Sequence, residues 1–238
     1  MCAWPGPASR PQGAEIQVLS QSVHKVMDML GRMQTVAALH EDEALLVFDK
    51  PAGLLAVPGR GEAGQDNLTA RVQARYADAL VVHRLDMATS GLMLFARGAA
   101  AQRLLSRAFE QRHVHKRYVA IVEGVLATDA GTIEAPLAAD WPQRPKQKVD
   151  RDAGKPSLTH WQVRGRGPDW TRLALVPLSG RTHQLRVHLQ HIGHPIRGDA
   201  LYAPQPLNAP RLLLHACALE LAHPLTGSHL VFTSEPAF

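Results

Sequence analysis

The stretch His83-Arg84-Leu85-Asp86-Met87-Ala88-Thr89-Ser90-Gly91-Leu92 lies between two apolar runs, Ala79-Leu80-Val81-Val82 and Leu92-Met93-Leu94-Phe95-Ala96. Short apolar runs on either side of a polar turn read as strand, turn, strand. The turn gathers a cation, a carboxylate and two hydroxyls, and Gly91 is expected to close it. Thr89 and Ser90 are placed to donate to Asp86 or to cap the local backbone. An isolated Asp-x-x-Thr segment would be read as a turn cap and nothing more. Here the pattern runs on over ten residues, from His83 to Leu92.

Downstream, Ala99 to Gln111 has helical spacing, with Leu104, Leu105, Ala108 and Phe109 on one side and Arg103, Arg107 and Arg112 on the other. Lys116–Glu123 alternates and is β-branched, so it reads as a strand. Residues 140–157 carry Arg144, Lys146, Lys148, Arg151 and Lys155 with almost no core material, and read as a long loop suited to phosphate contact. Trp141 in that loop suits either stacking on a base or anchoring the loop. Leu158–Arg166 and Trp170–Leu178 read as two strands around a Gly-Pro-Asp turn. Ser179 is the expected cap of a helix that runs to Gly193, with Leu185, Leu189 and Ile192 facing inward. Arg211–Ala216 and His229–Phe232 supply closing strands.

Upstream, Leu45-Leu46-Val47-Phe48 reads as a buried strand, and Asn67 as the N-cap of a helix over about residues 68–77. Residues 1–12 are rich in Pro, Gly and Ala, and residues 15–33 have the spacing of a short amphipathic helix. The expected division is an N-terminal extension, residues 1–38, partly disordered, followed by one body, residues 39–238.

His-Arg-Leu-Asp-x-x-Thr-Ser-Gly-Leu resembles the active-site signature of the RluA family of RNA pseudouridine synthases. Three further segments resemble that family's motifs in the same order: Lys50-Pro51-x-Gly53-Leu54, Lys116-Arg117-Tyr118-Val119-Ala120, and Gly180-Arg181-Thr182-His183-Gln184-Leu185-Arg186-x-His188. His194-Pro195-Ile196-x-Gly198-Asp199 matches as well. The resemblance implies an α+β pseudouridine synthase fold, with a mixed, mainly antiparallel sheet flanked by helices and loops, and makes residues 39–238 the catalytic domain. It implies that Asp86 is the catalytic carboxylate, that Arg186 pairs with it, and that Tyr118 stacks on the target base and helps remove its C5 proton. Arg84 is expected to fill the gap left in the stack or to hold the flipped nucleotide. His83, Arg181 and the loop cations Arg144, Lys146, Lys148 and Lys155 are the other expected RNA contacts. Asp49–Arg60, Asp140–Lys148 with Gly154-Lys155-Pro156, and Arg211–Ala216 are most similar to the branch that modifies a uridine in 23S rRNA and another in the tRNA anticodon stem-loop. Those RNAs are therefore the implied partners. A relative with one different rRNA or tRNA target, or a non-catalytic RNA-binding protein, are the alternatives. The joint presence of Asp86, Tyr118 and Arg186 argues against the last, since binding alone needs no carboxylate facing phosphates.

The chemistry such a site would perform fits these residue types. A uracil is detached from C1′ of its ribose, rotated and rejoined through C5, with no net redox change and no hydrolysis. A carboxylate serves as nucleophile or as base in this reaction, and a nearby arginine favours its charged form. No cofactor or metal is expected. The histidines at 183, 188, 191 and 194 invite a zinc reading, but no HExxH pattern occurs and no Cys or carboxylate ligand lies close in sequence. Gly59-x-Gly61-x-x-Gly64 spells a dinucleotide fingerprint, yet Pro58 precedes it and Gln65-Asp66 delay any helix, so a surface loop is expected.

Composition agrees. The 238 residues carry a formal charge of +5. Residues 1–43 hold Arg10, Lys25 and Arg32 against Glu15, Asp28, Glu41, Asp42 and Glu43, so the positive excess lies in the body. A basic body suits a polyanionic partner. No apolar run approaches the roughly 18 residues of a membrane span, and the N-terminus lacks a charged start followed by an apolar core. With two cysteines, Cys2 and Cys217, a disulfide is not expected. A cytoplasmic monomer is the expectation.

Overall fold

A computed structural model describes residues 36–204 and 208–238. The helix expected over 15–33 and the tail before it lie outside the described residues. The compact unit begins at Val36.

In chain order the elements are β1 (Ala38–Glu41), β2 (Leu45–Lys50), α1 (Leu68–Gln73), β3 (Ala79–Val81), β4 (Ser90–Arg97), α2 (Gly98–Glu110), β5 (His115–Glu123), β6 (Ala130–Glu134), β7 (Leu137–Ala139), β8 (Gln147–Val149), β9 (Leu158–Arg166), β10 (Trp170–Pro177), α3 (Gln184–His191), β11 (Leu214–Ala222) and β12 (His229–Thr233). Among the described residues, ten strands form one sheet in the order β1-β2-β4-β11-β5-β10-β9-β6, with β12 also on β11 and β3 also on β4. All pairings are antiparallel except β4 with β11. This is the mixed, mainly antiparallel α+β sheet expected.

The continuous apolar runs of β2 and β4 reflect burial on both faces. Leu45, Val47, Leu92 and Leu94 pack on one side with Ala101 and Leu105 of α2. Leu46, Phe48, Met93 and Phe95 pack on the other with Leu68, Val72 and Tyr76. Alternate side chains of a strand point to opposite faces, so one run fills two cores. The Asn67 side chain accepts the Ala70 N–H and starts α1 as expected, although the helix stops at Gln73.

Under the other half of the sheet lies a third core, built from Ala120, Val122, Leu173 and Leu175 of the strands with Leu185 and Leu189 of α3. Each buried leucine contributes about 1.5–3 kcal/mol by leaving water. That burial fixes α3 against the sheet.

Two expectations need correction. Residues 140–157 are not a featureless loop: β8 pairs antiparallel with β7, and Val149 packs against buried Leu137 and Tyr202. One apolar residue and a short ladder are enough to give this basic arm a fixed root. The helix expected to open at Ser179 starts instead at Gln184, because His183 adopts a left-handed conformation with φ 53°. Ser179 donates to the Gln184 side chain and accepts the Leu158 N–H rather than capping an N–H of the helix.

Candidate active site

Asp86 stands on the turn between β3 and β4, and the local chain explains its position. The Thr89 N–H donates to the Asp86 carbonyl at 3.1 Å and closes the turn. Gly53 N–H donates to the Met87 carbonyl at 2.8 Å. Beneath them Lys50, with no exposed surface, donates from Nζ to the carbonyls of Pro51, Leu54 and Met87. Burial pulls its ammonium down to about 8, against the opposing pull of Asp86 and Asp49. Lys50 thus staples the turn to the end of β2.

Gly91 does not close the turn; it lies inside β4 with φ 114°. A Cβ there would stand 2.4 Å from the Ala216 carbonyl oxygen, so only glycine permits β4 to approach β11. Ser90 faces β11 as well. Its hydroxyl meets His215 Nδ1 at 3.0 Å and makes no bond to Asp86.

From the other side comes Arg186, in the first turn of α3. Its guanidinium reaches Asp86 Oδ2 from Nη1 at 3.4 Å. Its tighter partner is Asp199, which it meets with a two-pronged grip at 2.8 and 2.7 Å from Nε and Nη2. Asp199 is fully buried. Burial opposes the Arg186 charge, but Asp199 and then Asp86 hold its pKa above the ordinary value. Asp199 also accepts the N–H groups of Leu201 and Tyr202, so it is fixed by the chain it sits on. Gly198 lets that corner form: a Cβ would lie 1.8 Å from the Arg211 carbonyl oxygen.

Tyr118, on β5, is half-buried in the same cleft. Burial and then the charge of Asp86 push its phenol well above the usual tyrosine range. The part owed to Asp86 disappears when that carboxylate gives up its charge. His183 completes the group. Its Nε2 lies 3.8 Å from Asp86 Oδ2 and its Nδ1 2.7 Å from Tyr202 Oη. Burial holds His183 below the ordinary histidine value.

These side chains line a cleft of about 510 Å³. His83, Arg84, Asp86, Tyr118, Arg181 and Arg186 all border it, so the structure brings together six residues from distant motifs. Arg112 and Lys116 add charge that the sequence did not single out, against Asp86 and Glu110 as the lining carboxylates. Arg84 and Arg181 are exposed at the rim.

His83 borders the cleft with one ring nitrogen already engaged. Its Nε2 accepts the Leu94 N–H at 2.9 Å, and its ring stacks on Phe109 at 4.6 Å. Burial and then Lys116 push it down to about 3, so it is a neutral part of the scaffold.

The arm cations Arg144, Lys146, Lys148 and Lys155 do not line the cleft. Arg144 lies over the Trp141 ring at 3.4 Å, and Trp141 is 68% exposed, so it does not anchor the arm in a core. Lys148 is paired with Asp150 at 3.3 Å. The arm is tied to the cleft wall through its backbone, by the Gln147 N–H donating to Tyr202 Oη at 2.7 Å. Of the histidines, His188 is satisfied by Thr159 and the Ala135 carbonyl, His194 meets the Glu123 carbonyl, and His191 is exposed.

The chain around this cleft has counterparts among known proteins. Residues 44–191 match the RNA pseudouridylate synthase family. The chain belongs to that family. Among curated pseudouridine synthases, a dual-specificity RNA pseudouridine synthase RluA of Pasteurella multocida is 46% identical over 203 residues, covering 84% of this chain and 93% of the relative. A protein of the same name from Salmonella typhi is 49% identical over 197 residues, covering 82% and 90%. Among solved structures, human RNA pseudouridylate synthase domain containing 1 superposes with a TM-score of 0.74 at 26% identity, covering 87% of this chain and 85% of that one. This pseudouridine synthase is therefore an isomerase acting on RNA, on a fold it shares with its human relative.

Proposed function

We propose that this pseudouridine synthase uses Asp86 as its reacting carboxylate and takes 23S rRNA and the tRNA anticodon stem-loop as substrates. The observation that carries the chemistry is the position of Asp86 Oδ2. It is half-exposed to a basic cleft, 3.4 Å from Arg186, and held from behind by the Lys50 staple. A carboxylate so placed acts on C1′ or C6 of the nucleotide, or takes a proton from the sugar. Arg186 supplies the positive partner that faces this oxygen.

The uridine must leave its stack to reach the cleft floor. Arg84 and Arg181 at the rim are suited to hold its phosphates, and Tyr118 to stack on the uracil, an interaction worth about 1–3 kcal/mol per base. Arg144, Lys146 and Lys148 extend the positive surface along the arm. The expectation of two RNA classes rests on the dual-specificity name of the relatives and their high coverage of this chain, and the choice of 23S rRNA and tRNA on the resemblance of Asp49–Arg60, Asp140–Lys148 and Arg211–Ala216 to that branch. The test is pseudouridine mapping in rRNA and tRNA from cells with and without this gene. Loss of one site in each RNA class on deletion supports the assignment. Loss confined to a single RNA makes the enzyme a single-target relative.

A further inference from the structure

We propose that Tyr202 is a positioning residue that fixes His183 in its Nε2–H tautomer and so aims a second N–H donor, beside Arg186, at Asp86. The inference rests on the reading of Asp86 as the reacting carboxylate.

The argument is one of proton accounting. Tyr202 is buried, and its hydroxyl has two neighbours among the described residues, the Gln147 N–H at 2.7 Å and His183 Nδ1 at 2.7 Å. A backbone N–H only donates, so the Tyr202 oxygen must accept from Gln147. The single hydroxyl proton then has one place to go, the Nδ1 lone pair of His183. An imidazole that accepts at Nδ1 while neutral carries its proton on Nε2. That nitrogen is the one facing Asp86 Oδ2, at 3.8 Å. A doubly protonated His183 would leave the tyrosine proton without an acceptor, which is costly in a buried site. Burial of His183 acts in the same direction.

The surroundings favour a positioning role over simple packing. The left-handed backbone of His183 is an uncommon conformation for a residue with a side chain, and it is what turns the ring toward both Tyr202 and Asp86. The Tyr202 ring lies 5.1 Å from the Arg186 guanidinium, and its backbone N–H holds Asp199. Tyr202 therefore touches both groups that face Asp86, His183 through its hydroxyl and Arg186 through its ring and through Asp199. The third partner, Gln147, belongs to β8 at the root of the arm. The backbone of the arm, and not its charges, dictates which way the hydroxyl points.

Two measurements test this. Long-range proton–nitrogen NMR of the imidazoles, with His183 assigned through His183→Asn, should show Nε2 protonated and Nδ1 bare in the wild-type protein. Tyr202→Phe, which keeps the ring and removes the hydroxyl, should give a mixture of tautomers. It should also slow single-turnover tritium release from a C5-tritiated anticodon stem-loop about tenfold, the equivalent of one directed hydrogen bond. RNA affinity should stay within about twofold. A proton on Nδ1 in the wild type, or full-rate turnover by Tyr202→Phe, overturns the proposal. If the variant does not fold, the wild-type tautomer decides. Turnover by Asp86→Asn would instead overturn the underlying reading, so the two failures are told apart.

Discussion

Asp199→Asn is the perturbation the structure makes most quantitative. Asp199 is fully buried and receives two bonds from Arg186 at 2.8 and 2.7 Å, plus the N–H groups of Leu201 and Tyr202. The substitution keeps the volume and removes the charge. An asparagine offers one acceptor oxygen where the aspartate offers two, so its NH2 must face either the guanidinium or the backbone donors. Breaking one side of a buried ion pair costs about 3–5 kcal/mol, because the remaining charge has lost its compensation. Asp86, 3.4 Å from the same guanidinium, still offsets part of that charge, so about 3 kcal/mol is expected. For a body of this size each kcal/mol lowers Tm by about 2–4 °C, which gives a fall of about 6–12 °C. Arg186 should also swing toward Asp86 and lose its alignment, slowing the single-turnover rate at least tenfold at a temperature where the variant is folded. Scanning calorimetry and single-turnover tritium release read the two effects. A Tm within about 2 °C of wild type together with an unchanged rate would refute the claim that Asp199 holds Arg186 in place.

Replacing Arg144, Lys146 and Lys148 together with alanine should weaken RNA binding at low salt and flatten the log Kd against log salt slope by up to about 2, since each phosphate contact on single-stranded RNA contributes about 0.7. The saturating single-turnover rate should change little, because the Gln147 backbone bond to Tyr202 survives; an unchanged slope would mean these charges face only solvent. Stability should fall with acid. His83, His183, His188 and His215 all lie below their ordinary values through burial, so they fold neutral and their contribution is intact above about pH 6.5. As pH drops through the unfolded histidine range toward about 3, the unfolded chain takes up protons that the fold refuses. Urea midpoints at pH 7.5, 6.0 and 5.0 should decrease in that order, and a flat series would contradict the burial argument. Lys50→Met should cost several kcal/mol and loosen the turn, since the Pro51, Leu54 and Met87 carbonyls each lose the ammonium and Met87 keeps only the Gly53 N–H; hydrogen exchange at Met87 and Ala88 as slow as in wild type would sink that role.

The strands were legible because their side chains follow period two or run apolar without a break. Leu45–Phe48, Leu92–Ala96, Lys116–Glu123 and the pair at 158–178 all appear where their patterns place them. Asn67 announced α1 through its capping chemistry. The short β8 was illegible because three residues with one apolar side chain carry no periodic signal, and its partner β7 supplies the reason it forms. The shifted start of α3 depends on the left-handed backbone of His183, which no residue type there forces. At the site, Asp86, Tyr118 and Arg186 could be singled out because they fall in long matching motifs. Their supports could not. Asp199 stood in a matching segment, but its grip on Arg186 is a contact between the far side of α3 and the loop beyond it. The Tyr202 bonds to His183 and Gln147 join three segments that only the folded sheet brings together. The bond from the Leu94 N–H to His83 Nε2 is likewise a contact across the fold that no motif announces.

In the proposed reaction the Asp86 carboxylate reacts while the rest of the cleft binds and positions. Tritium release from a C5-tritiated anticodon stem-loop, followed to multiple turnovers with wild type and Asp86→Asn side by side, tests it most directly. Asn preserves the size of the side chain and removes the charged oxygen 3.4 Å from Arg186. The wild type should give full release and the variant none above background, with RNA affinity within about threefold and a Tm close to wild type. Multiple turnovers by Asp86→Asn would contradict it.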